Sequence, residues 1–180
     1  MPLLKSSYTS EDYWNLPEGE RAELIDGKFY DMAPPSRIHQ ELVSGFHYLL
    51  RKYIADNHGS CKVYPAPFAV NLDADNKDWV EPDISVICDP NKLTDRGCSG
   101  APDLIFEIVS PASRKMDYSL KNMIYSQAGV REYWIVDPAK EKVVVYCYEN
   151  DSDPCLYSFD ADVPVGIYPG LTIRIRDLLN

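Results

Sequence analysis

Two short apolar runs that each carry one acid limit how this chain can fold. The first is Trp79-Val-Glu-Pro-Asp83-Ile-Ser-Val-Ile87, and the second is Pro102-Asp-Leu-Ile-Phe-Glu107-Ile-Val-Ser110. Short runs rich in Ile, Val and Phe read as strands buried on both faces. An unpaired carboxylate in such a strand is costly, so it binds a partner, a metal or a proton. Two of them on neighbouring strands make an anionic pocket that suits a hard divalent cation. Asp83 follows a proline and also fits a strand-entry or turn residue. Glu107 lies mid-run, where a turn role is not available. Asp103 is a rival acid on the same strand face as Glu107 by even spacing. The preceding Gly100-Ala-Pro102 assigns it instead to the loop that enters the strand.

A chain of 180 residues, 45% hydrophobic and with 13 Tyr, is expected to fold as one domain over residues 1–180. No apolar run approaches the ~20 residues that span a bilayer. The opening Met-Pro-Leu-Leu-Lys-Ser lacks the pattern of a signal peptide. A cytoplasmic protein with no membrane association is therefore expected. The five cysteines (61, 88, 98, 147 and 155) are odd in number and none is spaced as CxxC. Reduced thiols follow, and a zinc site does not. His39, His47 and His58 lack the spacing of a two-histidine helical metal site. The net charge of −10 excludes nonspecific coating of DNA, which needs a basic face. It leaves room for a local basic patch or for charge offset by divalent cations.

Along the chain, residues 10–16 read as a short helix closed by Pro17. Asp26-Gly27 between strand-like runs in 22–32 predicts a hairpin. Ser36 caps a long helix in which Ile38, Leu42, Phe46, Leu49, Leu50, Tyr53 and Ile54 recur at helical spacing, and Gly59 stops it. Strands are expected near 61–71, 79–88 and 103–109. A second helix over 114–128 has Met116, Leu120, Met123 and Ile124 as its apolar stripe and Gly129 as its end. A hairpin over 133–148 and short strands near 155–160 and 171–175 complete the order. The fold class is α/β (α+β), a mixed sheet flanked by helices.

Pro82-Asp83 followed by Glu107-Ile-Val109 resembles the PD-(D/E)XK nuclease pattern. In that superfamily the two acids end adjacent core strands and bind magnesium. A lysine two residues after the second acid stabilises phosphate charge, and here Val109 holds that position. The wider text is more specific. Glu23-Leu-Ile-Asp-Gly27, Glu81-Pro-Asp-Ile-Ser-Val86, Phe106-Glu-Ile-Val-Ser-Pro111, Asp117-x-x-x-Lys121-x-x-x-Tyr125 and Gly129-Val-Arg-Glu-Tyr-Trp-Ile-Val-Asp137 are together similar to the Uma2 family, over about residues 8–175. That resemblance implies a restriction-endonuclease-like mixed central sheet with an N-terminal β-hairpin and additional C-terminal strands.

The resemblance also implies that the missing lysine is supplied by the following helix, at Lys121. Asp117 lies one turn earlier on the same face. The stem of Lys121 can run along the sheet and bring its amine towards Glu107. On residue types alone, Lys121 equally fits a surface ion pair with Asp117. His39 matches a recurrent family histidine, and also fits a helix-edge residue paired with an acid. Glu41 fits either a helix acid of the site or a solvated face. Glu23 is assigned to the hairpin or, at most, to the surroundings of the site.

The function implied is Mg2+- or Mn2+-dependent hydrolysis of DNA phosphodiester bonds. Asp83 and Glu107 would be the metal ligands, Lys121 a catalytic residue, and Asp117, His39 and Glu41 their support. Arg114, Lys115 and Arg37 are candidate phosphate contacts, although each also fits ordinary solvated charge. A homodimer is expected from an apolar surface at Tyr133-Trp134 and Val143-Val144-Val145. The competing function is a nuclease-fold binding or assembly protein without catalysis, which the acidity and Val109 favour. A carboxylate-pair glycosidase has nothing beyond the acids to support it.

Overall fold

The computed structural model describes residues 7–150 and 152–179, so the opening Met1–Ser6 read for a leader lies outside the described residues. A short helix α1 (Ser10–Trp14) precedes the hairpin of β1 (Ala22–Ile25) and β2 (Lys28–Asp31). Asp26 and Gly27 take positive φ of 48° and 68°, as a two-residue type I′ turn requires. The long helix α2 (Arg37–Asp56) begins where Ser36 Oγ accepts the His39 N–H at 3.2 Å. Its end differs from expectation by one residue. His58, at φ 53°, takes the left-handed position, and Gly59 donates its N–H back to the Ile54 carbonyl at 2.8 Å. Together with the bond from His58 N–H to Ala55 O, this is the paired closure that satisfies the last helical carbonyls.

Seven strands follow: β3 (Lys62–Pro65), β4 (Val70–Asn71), β5 (Trp79–Val80), β6 (Ile84–Ile87), β7 (Leu93–Thr94), β8 (Gly97–Ser99) and β9 (Leu104–Ile108). Residues 114–128 are helical, as expected, but Met116–Lys121 wind as a π-helical turn before α3 (Asn122–Ala128). Gly129 ends the helix at φ 91°. Then come β10 (Glu132–Asp137), β11 (Lys142–Cys147), β12 (Cys155–Ser158), β13 (Val163–Pro164) and β14 (Thr172–Ile173). Sequence reading misses the β7–β8 hairpin and β13, because strands so short show no alternation.

One mixed sheet has the order β12-β11-β10-β9-β6-β3, with β9 and β10 parallel and the other pairs antiparallel. A second sheet runs β2-β1-β5-β4-β8-β7. The period-two alternation of β9 divides the interior. Leu104, Phe106 and Ile108 face the core filled by Leu42, Phe46, Leu50 and Ile54 of α2. Ile105 and Val109 face a second core, built with Tyr125, Tyr133 and Ile135 and with Ile25, Val70 and Val80 from the other sheet. Glu107 points to this second side by parity. Val109, at the vacated lysine position, is a buried member of that core.

Several expectations change. Ile38 is 41% and Met123 50% exposed, so neither belongs to a buried stripe. The buried positions of the 114–128 helix are Asp117, Lys121 and Tyr125. Tyr133, Trp134, Val143 and Val145 are core residues and not an apolar surface, which removes them as the basis for a homodimer. No helix among the described residues is long and apolar enough to cross a membrane.

The reduced-thiol expectation is corrected at one pair, since Cys61 and Cys88 form a disulfide. Their separation of 27 residues conceals that β3 and β6 pair antiparallel from Lys62↔Ile87, so the flanking cysteines continue the same register. Such a bond persists where the surroundings are oxidising, and the thiol argument for a cytoplasmic location fails here. Cys98, Cys147 and Cys155 are free. Titrating thiols in denaturant without reductant is expected to find three. Reduction is then expected to expose all five and to lower unfolding stability by about 3 kcal/mol. Five thiols before reduction would contradict the disulfide.

Candidate active site

The register of the central sheet builds the site. Ile84 of β6 opposes Phe106 of β9. Continuing that antiparallel register by one residue places Asp83 opposite Glu107, with both side chains on the same face. The two acids therefore meet because adjacent strands pair, although many residues separate them in sequence. Asp83 Oδ2 accepts the Ile108 N–H at 2.7 Å, which ties it to the end of β9. His39, from the first turn of α2, brings Nε2 to 3.0 Å of Asp83 Oδ1, and Gln40 Oε1 meets its Nδ1 at 3.0 Å. Burial by itself would lower the histidine pKa, but the hydrogen bond and charge of Asp83 outweigh it and hold the value above the usual one.

Glu107 is 4% exposed. Its Oε1 accepts the Lys121 ammonium at 2.9 Å and the Tyr125 hydroxyl at 2.6 Å. Burial raises the Glu107 pKa well above the carboxylate range, with Lys121 opposing and the nearby acids adding to the rise. Lys121 Nζ also reaches Glu23 Oε1 at 2.9 Å and lies 3.9 Å from Asp117 Oδ1. Burial would lower the lysine pKa, yet Glu107, Glu23 and Asp117 outweigh it and raise it. The ammonium is thus kept charged inside the protein. An isolated surface pair with Asp117, the alternative on residue types alone, is not what forms.

Sequence reasoning placed Glu23 in the hairpin or at most around the site, and it gave Tyr125 no role there. Glu23 lies on β1 and shares its inward face with Ile25 of the second core. Its Oε1 accepts the Glu81 N–H at 2.9 Å as well as pairing with Lys121. Only the packing of the second sheet against the first could reveal that contact. Tyr125 was legible in principle. Asp117, Lys121 and Tyr125 are spaced four apart, a repeat that keeps three side chains on one helix face.

Asp117 is 1% exposed, and neither of its carboxylate oxygens receives a hydrogen bond. Its pKa rises from 3.8 to about 6, mainly through burial, with Lys121 and the nearby Ser113 hydroxyl offsetting part of the rise. The Ser113 oxygen accepts the Ser110 N–H at 3.0 Å and the Ser110 hydroxyl at 3.1 Å.

A cavity of about 250 Å³ is lined by Glu23, His39, Asp83, Glu107, Asp117 and Lys121, with Arg21, Glu81 and the 110–113 turn among its other walls. The remaining candidates lie elsewhere. Arg37 and Glu41 pair with each other on the exposed side of α2, so neither the proposed acid nor the proposed phosphate contact reaches this cavity. Arg114 is bound through both guanidinium nitrogens to the fully buried Asp137, and it pins the helix that carries Lys121 to the end of β10. Lys115 is exposed. Asp103 accepts the Cys88 N–H at 2.7 Å and pairs with Arg131, in the loop-entry role expected of it.

Among the described residues no three His, Cys, Asp or Glu side chains converge closely enough to grip an ion directly. Magnesium, however, is usually held by one or two carboxylates and several waters. The opposed Asp83 and Glu107 and the bond-free oxygens of Asp117 fit that open arrangement, and they do not fit a closed three-ligand cage.

The Uma2 family model, described as "Putative restriction endonuclease", matches residues 10–175. An uncharacterized protein of Synechocystis sp. is 23% identical over 154 residues, covering 84% of this chain and 80% of that one. A crystal structure of an Anabaena variabilis protein, described as a "putative nuclease belonging to DUF820", superposes with a TM-score of 0.77 at 23% identity. That match covers 94% of this chain and 96% of the other, and it shows a shared fold.

Asp117 yields a pH test. Its raised pKa means that the folded chain binds more protons than the unfolded chain between pH about 4 and about 6. Stability therefore falls as pH rises through that window. Asp117→Asn is expected to remove this component, so that the variant gains on wild type by more than about 1 kcal/mol between the two ends. Urea denaturation across pH measures the difference, and parallel curves would contradict the raised value.

Proposed function

The chain belongs to the Uma2 family, and we propose that it is a divalent-cation-dependent endonuclease that hydrolyses DNA phosphodiester bonds, acting as a single domain over residues 1–180. The observation that carries this reading is the Lys121 ammonium at 2.9 Å from Glu107, in a cavity that Asp83 shares. The superfamily lysine position is occupied by Val109, yet a cation is delivered to the same acid from the next helix.

Asp83 and Glu107 would hold Mg2+ or Mn2+, and both ions favour oxygen ligands. The bound metal would lower the pKa of a water and polarise the scissile phosphate. Lys121, held charged by its carboxylate neighbours, would orient the attacking water and stabilise charge that develops on the phosphate oxygens. Glu23 and Tyr125 hold Lys121 and Glu107 in register, so neither needs to reorganise during the reaction. His39 fixes one oxygen of Asp83 and leaves Ile108 N–H to fix the other. Arg21, which is paired with Glu81 at 2.5 Å, is a stronger phosphate-contact candidate than Arg37 or Arg114, because it lines the cavity and they do not.

With a net charge of −10, encounter with DNA is opposed by like charge, and a divalent cation in the site would offset part of that repulsion. Cutting both strands of a duplex calls for two such sites. A homodimer would supply them through surfaces other than Tyr133 and Trp134, which are buried. The competing reading is a nuclease-fold binding protein, which the acidity favours. Against it stands the cost of burying Glu23, Glu107, Asp117 and Lys121 together, since a chain that needs only the fold can replace such a group with apolar residues.

The test is incubation of the purified chain with single- and double-stranded DNA and Mg2+ or Mn2+, beside Glu107→Gln and Lys121→Ala. Metal-dependent cleavage is expected to fall about 10²- to 10³-fold in both variants. Cleavage that persists in Glu107→Gln would locate the activity elsewhere. An intact fold that cuts neither substrate with either metal would favour the binding protein.

A further inference from the structure

We propose that Asp117 is itself a cation ligand, so that the divalent ion is shared between the strand acids and the helix and Asp117 is not merely a support for Lys121. This rests on the divalent-cation reading above. The molecule supplies its own control. Five acids are buried among the described residues: Glu23, Glu107, Asp117, Glu132 and Asp137. Glu23 takes the Glu81 N–H and Lys121. Glu107 takes Lys121 and Tyr125. Glu132 takes the Trp134 indole N–H and the backbone N–H groups of Gly166 and Ile167. Asp137 takes Arg114 from both of its oxygens. Asp117 alone has two buried oxygens with no hydrogen bond, and it lines the cavity. Buried polar groups are almost always satisfied, and an exception points to a missing water or ion.

Lys121 does not meet that need. Its ammonium stands 2.9 Å from both Glu107 and Glu23 but 3.9 Å from Asp117. The carboxylates that line the cavity, Glu23, Asp31, Glu81, Asp83, Glu107 and Asp117, outnumber its lysine and arginine cations, Lys121 and Arg21. The carboxylates do not converge in threes, so at least one strand acid meets the ion through a bound water. That is the habit of Mg2+, which sheds water reluctantly. The π-helical turn Met116–Lys121 lies where Asp117 and Lys121 leave the helix. Such turns recur at functional sites.

Mn2+ binding to the full-length chain, followed by calorimetry and by loss of the free-ion paramagnetic resonance signal, separates a ligand from a support. Asp117→Asn is expected to weaken Mn2+ binding at least tenfold. Asp117→Cys is expected to shift preference from Mn2+ towards the thiophilic Cd2+, because a thiolate at a contact position selects the softer metal. Circular dichroism checks the fold of each variant. Wild-type Mn2+ affinity in Asp117→Asn, together with an unchanged Cd2+ to Mn2+ preference in Asp117→Cys, would overturn the proposal and leave the nuclease reading standing. A wild-type chain that binds no Mn2+ would overturn both.

Discussion

The ammonium of Lys121 is the interaction on which the rest of the structure depends. It joins β1, β9 and the 114–128 helix through Glu23 and Glu107 at 2.9 Å each. Three elements from two different sheets and a helix thereby meet at one charge. Taking so many charges out of water costs several kcal/mol per ion, and only close geometry with further hydrogen bonds recovers it. The Tyr125 hydroxyl and the Glu81 N–H supply those bonds. Removing one partner would leave the others buried without compensation, so the cluster stands or falls together. A hydrophobic core of the same volume would fold with less difficulty, which is why the cluster argues for use and not for stability alone.

The architecture around the cluster protects it. The alternation of β9 sends Phe106 to the α2 side, where it packs 4.8 Å from Phe46, and sends Glu107 to the other side. That other side is roofed by the helix and by the second sheet, whose Ile25, Val70 and Val80 join Ile105, Tyr125 and Tyr133 in one core. Arg114 is spent on this framework. By binding buried Asp137 it anchors the start of the helix that carries Lys121, so a residue that looks like a phosphate contact in the sequence acts as a strut. Arg37 and Glu41 likewise neutralise each other in solvent. In an acidic chain, few cations remain uncommitted near the cavity.

The broad plan was legible because it rests on local rules. Alternation and apolar runs identify strands, Asp26-Gly27 identifies its turn, and Ser36 and Gly129 bound their helices. Reading was weaker where one residue type serves two ends. His58 took the left-handed position expected of Gly59, because the hydrogen bonds of the cap constrain the backbone and a histidine can tolerate it at modest cost. Tyr133 and Trp134 read as surface or core equally well. Only the presence of layers on both faces of β10 makes them core.

By itself the sequence determined that Glu107 sits in a strand with no ordinary use for charge, that Asp83 heads a second such strand, and that Asp117, Lys121 and Tyr125 share one helix face. These follow from periods of two and of about four residues, which any chain of this kind must obey. Tertiary structure alone decided that the helix turns its polar face inward, that Glu23 joins Lys121, that Cys61 meets Cys88, and that Arg37, Glu41 and Arg114 stay out of the cavity. The physical reason is the same in each case. Periodicity fixes which side chains point together within an element, but strand order and the packing of one layer on another decide what they point at.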